Sequence, residues 1–250
     1  MNFTILQFDT LNSTNTEAIN QAKHGADEGV CIIARQQTAG RGRHGRTWVS
    51  DKDSGLYFSI VLRPKLEARF FPLITLMTGV AVHDSFAEIG LKPDIKWVND
   101  ILINGKKICG ILAETVDTSK GLAVIVGIGI NLKSSNFPLE IADIATSIKD
   151  ETGRSLTGDE ISAILTRFFG YFYDILSDEN GPETIRDEWC KRSTYAIGKS
   201  VRIRLVNETI TGVTDGLEES GALRLKSSTG EISILQAGDV EQLREFEKNK

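Results

Sequence analysis

The run Gly40-Arg41-Gly42-Arg43-His44-Gly45-Arg46-Thr47-Trp48 decides how this chain is read. Arginine carries a fixed charge and a planar fork of donors that matches phosphate or carboxylate oxygens. Glycine lets backbone pass close to a ligand, and the indole offers a flat face for a ring to stack on. Gly40, Gly42 and Gly45 also satisfy G-x-G-x-x-G, which in a dinucleotide fold must follow a strand and open a helix. Val30-Cys31-Ile32-Ile33-Ala34 supplies a strand, but no helix follows. Thr47 to Ser50 leads into a polar turn over Asp51 to Gly55, and then into Leu56-Tyr57-Phe58-Ser59-Ile60-Val61-Leu62, whose aromatic and β-branched residues predict a second strand. The run is therefore read as a loop folded over a small anionic ligand, one carrying phosphates. A solvated basic loop with no ligand is the plainer alternative, and glycines at every second or third place argue against it.

On the N-terminal side of the loop, Asn2 to Phe8 predicts a short strand. Thr14 and Glu17 have capping-box spacing for a helix that runs to about Lys23 and ends at Gly25. On the C-terminal side, Pro72 to Ile89 reads as a long amphipathic helix ended by Gly90, and Asp94 to Trp97 starts a strand. Asn104-Gly105 is a hairpin turn between Asp100–Ile103 and Lys106–Ile108. Gly110 to Thr115 and Leu122 to Leu132 give further strands. Thr157 to Leu176 is a second long helix with a Thr157/Glu160 capping box, and Glu183 to Lys191 a third. From Ser200 the texture changes to short runs, Val201–Val206, Thr209–Gly216, Ala222–Lys226 and Ile232–Leu235, as in a small β-barrel or sandwich. The expected organisation is an α+β domain over 1–193 and an all-β domain over 194–250.

A chain of 250 residues can build one full core and a small second domain. Net charge −5 and pI near 5.4 argue against a general nucleic-acid binder, so the basic loop stands out against an acidic background. No helix-turn-helix or other DNA-reading module is expected. Cys31, Cys109 and Cys190 are odd in number and in no metal-type spacing, which points to a reducing cytoplasm. Leu122 to Leu132, read as the longest apolar stretch, is too short and too glycine-rich to span a bilayer, and residues 1 onward lack a basic segment followed by an apolar one, so no signal peptide is expected. No membrane partner is expected.

A second constellation surrounds the hairpin. Lys96-Trp97-Val98-Asn99-Asp100 enters it and Lys106-Lys107-Ile108-Cys109-Gly110-Ile111-Leu112-Ala113-Glu114 leaves it. Lysine sits readily against carboxylate or phosphate. Asp100 suits either Mg²⁺ or an incoming amine. Trp97 is equally readable as core or as site. Gly127-Ile128-Gly129-Ile130-Asn131 marks either close approach of a ligand or backbone, or a bulge. A Gly127–Leu132 strand at a sheet edge would also offer a pairing surface for a homodimer.

In order and spacing, Gly40-Arg41-Gly42-Arg43-x-Gly45-Arg46-x-Trp48, Lys96-Trp97-x-Asn99-Asp100, Lys107-x-x-Gly110-Ile111-Leu112-x-Glu114 and Gly127-x-Gly129-Ile130-Asn131 resemble a biotin–protein ligase. The likeness spans most of residues 10 to 240. One departure is Val98, where that family usually has proline. The resemblance implies a class II synthetase-like, biotin–lipoate ligase-like mixed sheet with flanking helices, plus a C-terminal SH3-like β-barrel. It further implies ATP-dependent conversion of biotin to biotinyl-5′-AMP with Mg²⁺, then transfer to a lysine of a biotin carboxyl carrier domain, as in the ligase-only kind without a DNA-binding domain. By the same resemblance Ser13, Thr14, Asn15 and Gln37 line the biotin end, with Gly110. Arg41, Gly42 and Arg43 cover the ligand, and Arg43 and Arg46 lie nearest the phosphates. Trp48 packs at the adenine, Asn131 lies near the nucleotide, and Lys107 meets both the biotin carboxylate and the bridging phosphate. Catalytic candidates are Lys107, Arg43, Arg41 and Asp100, the last either a Mg²⁺ ligand or a guide for the carrier lysine. His44 is expected to be exposed and idle. Alternatives are a lipoate or octanoate ligase, which shares the chemistry but lacks the loop, a non-enzymatic anion-binding module, and a transcriptional co-regulator relying on a separate DNA-binding partner.

Overall fold

A computed structural model describes residues 1–134, 137–205, 208–236 and 238–242. Seven strands form one mixed sheet: β1 (Thr4–Leu11), β2 (Val30–Gln37), β3 (Gly55–Leu62), β4 (Pro93–Lys96), β5 (Asp100–Ile103), β6 (Lys106–Thr118) and β7 (Gly121–Asn131). Their spatial order is β1-β2-β3-β7-β6-β5-β4. Only β1 and β2 run parallel, joined by helix α1 (Thr14–Lys23); every other pair is antiparallel. Between β2 and β3 the one helical element is a short turn at Arg43–Gly45 inside the 40–48 loop, so the dinucleotide-fold reading, which needs a helix there, is excluded by topology. The expected edge position for Gly127–Leu132 is also overturned. β7 lies inside the sheet, hydrogen-bonded to β3 on one side and β6 on the other, and offers no free edge to a second copy.

Side chains alternate across the sheet. One face carries Phe58 and Ile60 of β3, Ile111 of β6, and Val126, Ile128 and Ile130 of β7, all buried under α2 (Pro72–Glu88), with α5 (Gly158–Leu176) and α6 (Gly181–Arg192) packed around it. Among the described residues, Ala68–Glu88, and not the expected Leu122–Leu132, is the longest apolar segment, and it is the one helix long and apolar enough to cross a membrane. It comprises α2 and the turn before it, most of it buried as the core helix of this face. The opposite face is covered by α1 only in part: Ala18 and Ala22 pack on Ile32, Val61, Ala123 and Ile125. Beyond that patch the same face continues as Ser59 and Tyr57 on β3 and Gly127, Gly129 and Asn131 on β7, so the apolar alternation gives way to polar groups and glycine.

The Thr157/Glu160 capping box forms, with both reciprocal bonds in place. The expected Thr14/Glu17 box does not. Ser13, not Thr14, is the N-cap and makes no side-chain cap bond, and Thr14 is turned to Gln37, donating from its backbone N–H and its hydroxyl to Oε1 at 2.8 and 3.1 Å. Asn104 and Gly105 both have positive φ, as a two-residue hairpin turn requires. Two short helices, α3 (Leu139–Ala142) and α4 (Ile148–Thr152), follow β7.

The C-terminal strands β8 (Ile197–Arg204), β9 (Thr209–Leu217), β10 (Leu223–Lys226), β11 (Ile232–Leu235) and β12 (Asp239–Gln242) form an antiparallel sheet in the order β11-β10-β9-β8-β12. Val206, the last residue of an expected strand, lies outside the described residues, as do 243–250 of the expected second domain. The β9–β10 turn docks on α2. Trp97, fully buried, donates from Nε1 to Gly221 O at 3.1 Å, and Ser193 Oγ donates to Ile95 O at 2.5 Å. Trp97 is thus a core residue at the joint between the two sheets, and its indole N–H is spent there.

Helices α2 and α6 are strapped together by Arg192, which donates to Asp84 Oδ1 and Oδ2 at 2.7 and 2.9 Å. Burial pushes the Asp84 carboxyl up, but hydrogen bonds from His83 and Arg192 outweigh this and hold it below its ordinary 3.8. A depressed carboxyl stabilises the fold above its unfolded value and loses that contribution as pH falls through the folded value. Thermal midpoints measured from neutral to about pH 3 should therefore fall on the acid side. Asp84→Asn should start lower at neutral pH and lose less on acidification; equal slopes for the two proteins would contradict this.

Candidate active site

The 40–48 loop is a small hairpin of its own. Trp48 N donates to Gly40 O at 3.0 Å, Gly42 N to Arg46 O at 2.7 Å, and Arg41 bridges to Thr47. A Cβ on Gly40 would lie 2.4 Å from Trp48 O, so only glycine permits this closure. At the tip His44 and Gly45 turn through positive φ, and His44 is exposed.

Three anchors hold the arginines. Arg41 makes a bidentate pair with Glu114 of β6 at 2.9 and 2.7 Å. Arg43 Nη1 donates to Asn99 Oδ1 at 3.0 Å and to Gly238 O at 3.4 Å. Arg46 pairs with Asp239 at the start of β12. Burial lowers the Arg43 guanidinium from its ordinary value against the pull of Asp239 and Asp100, and it remains cationic at neutral pH. For Asp239, burial pushes the carboxyl up, but the bond from Arg46 and the charges of Arg46 and Arg43 overcome it and hold it below the usual range.

Behind the loop, the Trp48 indole lies on the glycine pair Gly110 and Gly129, which face each other across β6 and β7. A Cβ on Gly129 would meet Trp48 Cε2 at 2.5 Å, and one on Gly110 would meet Cζ3 at 3.0 Å. Lys107 Nζ stands 5.4 Å over the indole and 2.6 Å from Asp100 Oδ1, while Lys96 Nζ is 3.5 Å from Asp100 Oδ2. Trp48 Nε1 is buried and has no hydrogen-bond partner among the described residues. Gly127 clears the next position for Asn15, whose Oδ1 would sit 2.1 Å from a Cβ there.

A hydrogen-bond chain then joins the two ends of the loop. Asn15 Nδ2 donates to Glu114 Oε2 at 2.7 Å and to Leu112 O at 3.2 Å. Ser59 Oγ lies 2.6 Å from Asn15 Oδ1 and 2.8 Å from Thr14 Oγ1. Thr14 reaches Gln37, Gln37 Nε2 donates to Ser50 Oγ at 2.8 Å, and Ser50 Oγ donates to Trp48 O at 2.9 Å. Thr14, Asn15, Gln37 and Trp48 of this chain of bonds line a cleft of about 950 Å³ bounded also by Ser13, Lys107, Gly129 and Asp239, with Ser59 and Ser50 buried behind them. A second cleft of about 830 Å³ opens on the other side of the loop.

All the residues expected at the site border the 950 Å³ cleft: Ser13, Thr14, Asn15, Gln37, Arg41, Gly42, Arg43, Arg46, Trp48, Asp100, Lys107, Gly110 and Asn131. They are not equally free. Asn15 has both amide hydrogens and its oxygen engaged within the chain, Arg41 is locked to Glu114, and Asn131 Nδ2 donates to Thr146 O at 3.0 Å. The glycines of β7 mark close approach, though by the chain's own side chains. Sequence reading missed Ser59, Ser50 and Asp239, and left Asn99 and Glu114 without roles. Ser59 carried a signal, since it is the one hydroxyl-bearing aliphatic position inside Leu56–Leu62. Asp239 carried none.

Residues 7–131 match the Biotin/lipoate A/B protein ligase family, and 196–242 match the biotin protein ligase C-terminal domain. The bifunctional ligase/repressor BirA of Bacillus subtilis is 37% identical over 244 residues, covering 95% of this chain and 73% of that protein. The biotin–[acetyl-CoA-carboxylase] ligase of Paracoccus denitrificans is 33% identical, with 91% and 96% covered. The structure of the biotin protein ligase from Aquifex aeolicus in complex with biotin and ATP superposes with a TM-score of 0.83 at 29% identity, covering 96% of this chain and 99% of that one. An α+β sheet carrying a cationic loop, joined to a C-terminal SH3-like sheet, defines the class, and the chain belongs to the biotin–protein ligase family.

Trp97 is fixed by its bond to Gly221 and Trp189 is fully buried, so a difference in resting tryptophan emission between the parent and a variant at the glycine seat reports chiefly on Trp48. Gly129→Ala should lift the indole from its seat. The expected result is an altered resting emission spectrum and nucleotide binding weakened about tenfold or more, the usual scale for a misplaced contact, with the fold retained by circular dichroism. Unchanged emission and binding would show that the glycine seat is dispensable.

Proposed function

We propose that this chain activates biotin with ATP to biotinyl-5′-AMP and then transfers biotin to a lysine of a biotin carboxyl carrier domain. The carrying observation is the placement of Lys107, Arg43 and Arg46 around the same cleft as the Ser13–Asn15 and Gln37 polar chain. One end offers donors and acceptors suited to a ureido ring; the other gathers fixed cations where two anions must meet. In the first step a biotin carboxylate oxygen attacks the α-phosphorus and pyrophosphate leaves. Lys107 offsets the repulsion between the carboxylate and the phosphate, and the arginines take up charge that develops on the phosphoryl oxygens. In the second step the acceptor amine attacks the acyl carbon and AMP leaves. An acyl-adenylate hydrolyses readily, so the loop's cover over the cleft serves to exclude water.

Asp100 does not fit a magnesium ligand. Its two oxygens already face Lys107 and Lys96, and among the described residues no three His, Cys, Asp or Glu side chains converge. Magnesium is assigned to the nucleotide's own phosphate oxygens. Asp100 is assigned to orienting Lys107, from where its charge also draws an incoming ammonium. Three unpaired cysteines fit a reducing cytoplasm.

The test is biotin-dependent ATP–pyrophosphate exchange, with lipoate and octanoate in parallel. Biotin alone should support exchange. Lys107→Ala and Arg43→Ala should each reduce it by about 10²-fold or more, with melting temperatures within a few degrees of the parent. Exchange with lipoate alone, or near-normal turnover in both variants, would overturn the assignment.

A further inference from the structure

We propose that Asp239, on β12 of the C-terminal sheet, is a positioning residue for Arg46 and Arg43 of the arginine loop. This rests on the ligase reading above. The loop has no apolar anchor between Arg41 and Thr47; it is held by its own short hairpin and by polar partners drawn from separate parts of the chain. Glu114 of β6 takes Arg41, and Asn99 takes one hydrogen of Arg43. The remaining ties come from β12 and the residue before it: the Asp239 carboxylate to Arg46 and the Gly238 carbonyl to Arg43. The same carboxylate acts on both guanidinium groups, directly on Arg46 and through space on Arg43.

Its base is firm. Asp239 pairs in register with Arg204 across β12 and β8, and the sheet is fixed to the first by Trp97 on Gly221, by Ser193 on Ile95 and by Thr194 on Asp94. The bonding also leaves capacity. Arg46 uses only Nη2 and Arg43 only Nη1 among the described residues, so each fork keeps donors for phosphate oxygens. A carboxylate that binds one side of a guanidinium and leaves the other aimed at the cleft reduces the ordering needed when an anion arrives. The opposite role is chemically conceivable: a carboxylate occupying the phosphate position would compete with the nucleotide. The two roles move ATP affinity in opposite directions.

The experiment uses the full chain with Asp239→Asn and Asp239→Glu. In the exchange assay Asp239→Asn should raise KM for ATP about tenfold, the scale of one lost charge-assisted bond. The biotin Kd, measured calorimetrically without ATP, should stay within about twofold and the melting temperature within a few degrees, while Asp239→Glu should recover part of the loss. Limited trypsin digestion gives a readout independent of activity: cleavage after Arg41, Arg43 or Arg46 should accelerate several-fold in Asp239→Asn relative to other sites. An unchanged or lowered KM for ATP, or biotin affinity and melting temperature falling together with it, would overturn the proposal. Should the parent protein show no exchange, the ligase reading fails, and the trypsin comparison still decides whether Asp239 holds the loop.

Discussion

Where β7 carries glycine at 127 and 129, the sheet has no side chains of its own to fill its face, and two side chains from elsewhere lie directly on the backbone. Asn15 arrives from the start of α1 and Trp48 from the end of the arginine loop. Each could reach the sheet only at a position where no Cβ stands. Both contacts constrain more than themselves. With Asn15 down, its amide meets Glu114, and Glu114 is then oriented to grip Arg41. With Trp48 down, Lys107 stands over the indole and beside Asp100. The polar half of this face is thus organised by what β7 lacks, while the apolar half is covered in the ordinary way by α1.

Charge follows the same economy. The loop concentrates Arg41, Arg43 and Arg46 in a few residues, and the chain supplies a counter-group for each from a different element: β6, the β4–β5 connection and β12. Like charges this close would repel if left alone. Glu114 and Asp239 offset Arg41 and Arg46 from outside the loop, while the partners of Arg43, an amide and a carbonyl, are neutral, so the cluster keeps a net positive charge. A preorganised cationic surface of this kind stabilises an anionic transition state with little reorganisation during the reaction.

Much of this was readable beforehand, for local reasons. The aromatic and β-branched run Leu56–Leu62, the Asn104-Gly105 turn and the Thr157/Glu160 box each depend on residues close in sequence, and each formed as expected. The failures were non-local. Thr14 had a cap waiting at Glu17 but found a stronger set of partners in Gln37 and Ser59, which only the folded sheet brings near. Strand β7 carried no mark of an interior position, because the glycines that suggest an open edge are there to admit side chains. Asp239, 193 positions from Arg46, lies in a segment whose composition gives no hint of the contact.

One feature of β6 bears on the fate of an activated acid held in this cleft. Cys109 immediately precedes Gly110, yet strand alternation turns its sulfur to the core face, where burial pushes the thiol well above its ordinary range. Cys31 is likewise buried, its thiol pushed up to about 12. Thiolates, unlike thiols, attack activated acyl groups rapidly. A single-residue register slip in β6 would exchange Gly110 for cysteine in the floor and put a soft nucleophile beside the mixed anhydride. The pleat of the strand therefore protects the intermediate from self-acylation, leaving nitrogen of the acceptor as the group the cleft is built to receive.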